Sequence, residues 1–182
     1  MPFKFTKLEI KEVVLVEPSR FDDSRGFFME TFKRSEFDSA GIEFTPVQGN
    51  HSKSAKGVLR GLHYQADPHA QSKLVRVLRG SIYDVGVDLR KKSPQFGRWV
   101  GADLTAENRR MLFVPRGFAH GFLALEDDTE VEYLVDNEYS RESERGVIWD
   151  DPQVGVRWPI ERPMLSEKDL KWPTLNDAWL FP

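Results

Sequence analysis

Four histidines, His51, His63, His69 and His120, are the first candidates for chemistry in this sequence, and no cysteine competes with them. An imidazole titrates near pH 6.5, so it gives or takes a proton near neutrality without a special environment. His63 lies in the run GVLRGLHYQ, and His120 in VPRGFAHGF, directly after the apolar run MLFV. Arg60 stands just before His63, and Lys73 opens the run KLVRVLR. A histidine beside two cations suits an anionic substrate. A core histidine satisfied by a neighbouring carbonyl is the plainer alternative for a lone His on a strand. With no thiol, disulfides, thiolate metal sites and cysteine nucleophiles are excluded, and catalysis falls to His, Tyr, Lys or carboxylates.

These residues sit on short runs punctuated by Gly, Pro, Asn and Asp. Strands are expected over 13–16, 27–32, 73–79, 81–89, 111–114 and 130–135, with another through 57–65. In SIYDVGVDL, Tyr83, Val85, Val87 and Leu89 share one face and Asp84 and Asp88 the other; in EVEYLV, Val131, Tyr133 and Val135 oppose Glu130 and Glu132. Such alternation predicts half-buried antiparallel strands. Glycines at 57, 61, 80, 97, 101, 117 and 121 read as turn or bulge positions. Helices are expected only over 35–40, before Gly41, and over 166–172, before Pro173. The class is mainly β, a sandwich or closed jelly roll with a few short helices. A chain of 182 residues makes one domain, 1–182, with residues 160–182 as a C-terminal extension. The net charge of −3 argues against a nucleic-acid partner, and no apolar run is long enough for a membrane span. The charged N-terminal run lacks the apolar block of a signal peptide, so a cytoplasmic protein is expected.

The two histidine segments resemble the paired motifs of cupins, which are double-stranded β-helix proteins. Gly57 and His63 fit the first motif, and Pro115, Gly117 and His120 fit the second. Gln65 occupies the second histidine position, and no glutamate follows in ADPHA. Two imidazoles alone furnish a tight transition-metal site poorly, so no metal is expected and His63 is free to act as acid or base.

The strings DDSRGFFMETF, VQGNHSKSAKGVLRGLHYQ, QSKLVRVLRGSIYDVGVDLRKKSPQFGRWVG, VPRGFAHGF, VEYLVDNEYS, WDDP and LSEKD run in order through most of the chain. Together they are similar to one cupin family, the dTDP-4-dehydrorhamnose 3,5-epimerases. The resemblance implies inversion of the two carbons flanking the ketone of a dTDP-linked 4-keto-6-deoxy sugar, supplying activated L-rhamnose. The ketone acidifies the neighbouring C–H bonds. A base removes the proton, an acid returns one to the opposite face, and positive charge stabilises the enolate. No cofactor is implied. The resemblance makes His63 the base, Asp169 its orienting carboxylate, Tyr133 the acid and Lys73 the cation at the ketone oxygen. His120 becomes a pocket residue near the sugar and Arg60 the diphosphate contact. Arg25, Glu30, Gln48 and Asn50 match nucleotide-binding positions, Phe28 a stacking position, and Glu144 and Lys168 further binding positions.

Local readings compete with several of these. Ser166 and Asp169 have capping-box spacing, Tyr133 suits ordinary strand packing, and Glu144 and Lys168 could be surface ion pairs. Strict alternation sets Arg60 and His63 on opposite faces, which a bulge at Gly61 would repair. Family members often carry two tyrosines where this chain has Glu138 and Tyr139 after Asn137. The family also implies a homodimer in which the segment around Phe28 and Arg25 completes the partner's pocket. Inversion of a single carbon, action on another dTDP-ketosugar, a metal-dependent cupin oxygenase and a non-catalytic sugar-nucleotide binder are the competing functions.

Overall fold

A computed structural model describes residues 2–182. The chain runs β1 (Phe3–Lys7), β2 (Val14–Pro18), β3 (Arg20–Asp23), β4 (Gly26–Met29), α1 (Arg34–Ser39), β5 (Gln48–Ser54), β6 (Leu59–Gln65), β7 (Lys73–Arg79), β8 (Ser81–Asp88), β9 (Trp99–Thr105), β10 (Met111–Val114), β11 (Phe118–Ala124), β12 (Thr129–Val135) and β13 (Glu144–Gly146). One sheet has the order β1-β2-β10-β7-β12-β5, and the facing sheet β13-β6-β11-β8-β9. Strands β3 and β4 form a separate hairpin. All these pairings are antiparallel, which gives the expected mainly-β jelly roll.

Alternating side chains sort into three layers. Val75, Val77, Leu112, Val114, Phe118, Phe122 and Val131 point between the sheets and form the central core. On the outer face of the six-stranded sheet, Leu74, Met111 and Phe113 pack against Phe37 and Phe44 from α1 and its following loop. The other sheet presents Leu62, Tyr64, Val85 and Val87 outward, where Leu175 and Phe181 cover them. Residues 160–182 therefore close a core layer.

Two expectations need correction. The alternation in β8 is real, but its carboxylate face is not half-exposed, because Asp84 and Asp88 are both fully buried. β8 lies between β11 and β9, with the second sheet over one face and the C-terminal segment over the other. Asp88 is answered by Arg90 and Ser93. The helix expected over 166–172 reduces to a 3-10 turn at Asp169–Lys171. Pro173 favours extended backbone at the preceding residue, and Trp172 has φ −64° and ψ 144°.

The parity conflict in β6 resolves at Gly61. His63 pairs with His120 while Arg60 pairs with Phe122, so three steps along β6 match two along β11. This extra residue is the expected bulge. Gly61 has φ +146°, and a Cβ there would lie 2.6 Å from Gly121 Cα, so only glycine fits the close approach of the two backbones. Arg60 and His63 consequently line one cavity.

Candidate active site

The cavity between the sheets holds about 520 Å³. His63 enters from β6 and His120 from its partner strand β11, at directly opposed positions. Lys73 and Tyr133 come from the facing sheet, on β7 and β12. Arg60 also comes from β6, Glu144 sits on the edge strand β13, and Met164, Ser166, Lys168 and Asp169 arrive on the C-terminal segment. A contiguous cleft adds Gln48, Asn50 and Tyr139.

His63 donates from Nε2–H to Asp169 Oδ1. The aspartate is buried, and its other oxygen accepts the Ser166 hydroxyl at 2.9 Å while Ser166 Oγ accepts the Asp169 backbone N–H at 3.1 Å. Turn capping and orientation of the histidine thus coexist, one oxygen for each. Trp172 stands edge-on to the imidazole at 5.9 Å and donates to Asp169 Oδ1. An ionised carboxylate only accepts, so Nε2 carries the proton and Nδ1 is left to take one. Burial raises the Asp169 carboxyl, but hydrogen bonds from His63, Ser166 and Trp172 outweigh it and hold the carboxyl below its usual range.

Burial also pushes His63 below the usual imidazole value; Asp169 opposes this, while Lys73 and Lys168 add to it. Lys73 falls to about 8 through burial, with Asp84 and then Glu144 resisting. Its ammonium lies 5.9 Å from the Tyr133 ring. Burial raises the Tyr133 phenol above its usual value against Arg60 and Lys168, so it remains a proton donor at neutral pH.

Arg60 is anchored by Ser54 Oγ and the Lys53 carbonyl, each at 3.1 Å. Glu144 and Lys168 pair with each other at 2.6 Å on the cavity wall, and Tyr139 donates to the same Glu144 at 3.1 Å. The ion-pair reading and the pocket reading of these two charges therefore describe one arrangement. Gln48 accepts from the Tyr139 backbone N–H and donates to Asn50. Gln65, at the second cupin histidine position, donates to the carbonyls of His69 and Glu138 and accepts from the Ser140 backbone, so its amide pins a loop. No three His, Asp or Glu side chains cluster as a metal site among the described residues.

Three expected nucleotide-binding residues do not line this cavity. Arg25 and Phe28 lie on the exposed β3–β4 hairpin, where Arg25 pairs with Asp23, and Glu30 follows that hairpin. Conversely, Asp84 was absent from the expected site. It is fully buried and accepts a 2.6 Å hydrogen bond from His120 Nε2–H. Its signal was the alternation in β8, which assigns it to the face opposite Tyr83 and Val85.

The sequence model of the dTDP-4-dehydrorhamnose 3,5-epimerases matches residues 7–177. The chain belongs to this family. A dTDP-4-dehydrorhamnose 3,5-epimerase of Shigella flexneri is 52% identical over 176 residues, covering 96% of this chain and 97% of that one. The crystal structure of the epimerase from Sulfolobus tokodaii is 46% identical, covers 100% of both chains and has a TM-score of 0.93. A 3,5-epimerase from Legionella pneumophila in complex with dTDP-4-keto-L-rhamnose is 43% identical, covers 96% of this chain and 94% of that one, and has a TM-score of 0.92. Members of the epimerase family thus share this jelly roll from end to end.

Proposed function

We propose that this chain is a dTDP-4-dehydrorhamnose 3,5-epimerase, converting dTDP-4-dehydro-6-deoxy-D-glucose to dTDP-4-dehydro-L-rhamnose without a cofactor. The observation that carries the reading is the placement of His63 and Tyr133 on facing sheets of one cavity. His63 Nδ1 removes the proton next to the ketone and becomes an imidazolium beside Asp169. Tyr133 returns a proton to the other face of the enolate. Lys73, with His120, faces the ketone oxygen and stabilises its developing charge. Arg60 binds the diphosphate, with Lys168 and Glu144 at the rim and Gln48 and Asn50 towards the nucleotide.

A homodimer belongs to the same proposal. Phe21 and Phe28 pair across the hairpin on one face and are 60% and 66% exposed, and Phe27 on the other face is 54% exposed, an apolar surface suited to a second copy of the chain. Arg25, Phe28 and Glu30 would then complete the partner's nucleotide site. A cytoplasmic location fits the nucleotide-sugar substrate. Among the described residues no helix is long and apolar enough to cross a membrane.

Incubation with dTDP-4-keto-6-deoxyglucose in deuterated water tests the reaction. Deuterium is expected at both carbon 3 and carbon 5. Label at one carbon alone would make the protein a mono-epimerase, and binding without exchange would leave it a non-catalytic binder.

A further inference from the structure

We propose that Asp84 is a positioning residue of this site: its carboxylate fixes the His120 ring and keeps a negative charge buried between the sheets. The inference rests on the reading of Lys73 and His120 as the groups at the ketone oxygen. Asp84 projects from β8 into the barrel on the same face as Gly86, and pairs across the strands with Phe122, two residues from His120. It touches the reaction only through other groups, since it does not line the cavity.

The hydrogen bond to Asp84 Oδ1 determines the tautomer of His120. A carboxylate acceptor requires the proton on Nε2, so any proton the ring gains or gives is at Nδ1. His63 is held in the same way by Asp169. The cavity therefore carries two opposed imidazoles, each with Nε2 committed to a buried aspartate and Nδ1 left for chemistry. Hydrophobic packing alone would not select this arrangement, because Asp84 Oδ2 has no hydrogen-bond partner among the described residues. A buried carboxylate oxygen without a donor is unfavourable unless a nearby charge compensates it. The charge that interacts with it is Lys73, whose lowered proton affinity Asp84 opposes more than any other group does. The other titratable groups lining the cavity with Lys73 are Arg60 and His63 on β6, His120 on β11, Tyr133 on β12, Glu144 on β13, and Lys168 and Asp169 on the C-terminal segment.

Asp84→Asn separates charge from shape, because the amide oxygen can still accept from His120. The expected result is a kcat lower by about 10- to 100-fold. KM should stay within about threefold and dTDP affinity should be unchanged. The alkaline limb of the pH profile should move to lower pH, because Lys73 loses an anion that holds its proton. A mere packing role would not move that limb. Lys73→Met and His120→Asn are measured alongside. If both are crippled while Asp84→Asn keeps the wild-type kcat and pH limb, the Asp84 proposal is wrong and the site reading stands. If Lys73→Met and His120→Asn stay fully active, the site reading fails and the proposal falls with it. Nitrogen-15 NMR of labelled histidine in the wild-type enzyme needs no variant. The neutral His120 ring should carry its proton on Nε2, and a proton on Nδ1 would overturn the assignment even if Asp84→Asn did not fold.

Discussion

His63 is half-buried between an anion, Asp169, and two cations, Lys73 and Lys168, and its lowered pKa follows chiefly from its partial loss of water. A base must be neutral to accept a proton, so activity should fall as pH drops through this value, below 6.5. Lys73 must be charged to stabilise an enolate, and its pKa of about 8 sets the other limb. A bell-shaped profile of kcat/KM is expected, with its acid limb below 6.5 and its alkaline limb near 8. Activity still rising above pH 8 would show that the Lys73 ammonium is not required. His63→Ala should cut the exchange rate at both carbons by roughly 10²- to 10⁴-fold. Calorimetry should find dTDP binding retained, because Arg60 and the cleft residues are untouched. Tyr133→Phe should still lose substrate deuterium to solvent but form little inverted product; unchanged epimer yield would remove Tyr133 from the mechanism.

The elements that hold these groups have their own weak points. Gly61→Ala would force a Cβ against Gly121 Cα and place alanine at a positive φ. A loss of about 1–3 kcal/mol is expected, read as a lower melting temperature. A melting temperature equal to wild type would mean that the β6–β11 pair can open at no cost. Asp151, in the run WDDP, is a second such point. Its buried carboxylate accepts the backbone N–H groups of Gln153, Val154 and Leu175, tying down the segment that covers the five-stranded sheet. Asp151→Ala should cost roughly 3 kcal/mol, seen in the denaturant midpoint. Activity should fall too, since the same segment delivers Asp169. These strands were largely legible beforehand, because runs such as 73–79 and 111–114 carry their own periodicity. The turn at Asp169–Lys171 was less so: a single side chain, Ser166, organises it, and no repeat announces it.

For the whole molecule, the decisive feature is that Arg25 and Phe28 stand outside the cavity of their own chain. If a second copy receives them, sedimentation should give a dimer, and Phe28→Ala should raise KM more than it lowers kcat. A fully active monomer would end that idea. The net charge of −3 is no obstacle to an anionic substrate, because Arg60, Lys73 and Lys168 converge on one cavity.

Residue types and spacings were enough to settle the mainly-β class and to expose the parity conflict that a bulge at Gly61 resolves. Each is a local property, legible in a window of a few residues. Whether the carboxylate face of β8 meets water or a second sheet is not local. It depends on how two sheets stack, and that stacking turned Asp84 from an expected half-exposed residue into the buried partner of His120. The same holds for Asp169, 106 residues from His63, and for the meeting of Tyr133 with His63 across the barrel. Periodicity says that a strand has two faces, while only the closed barrel decides which of them looks inward.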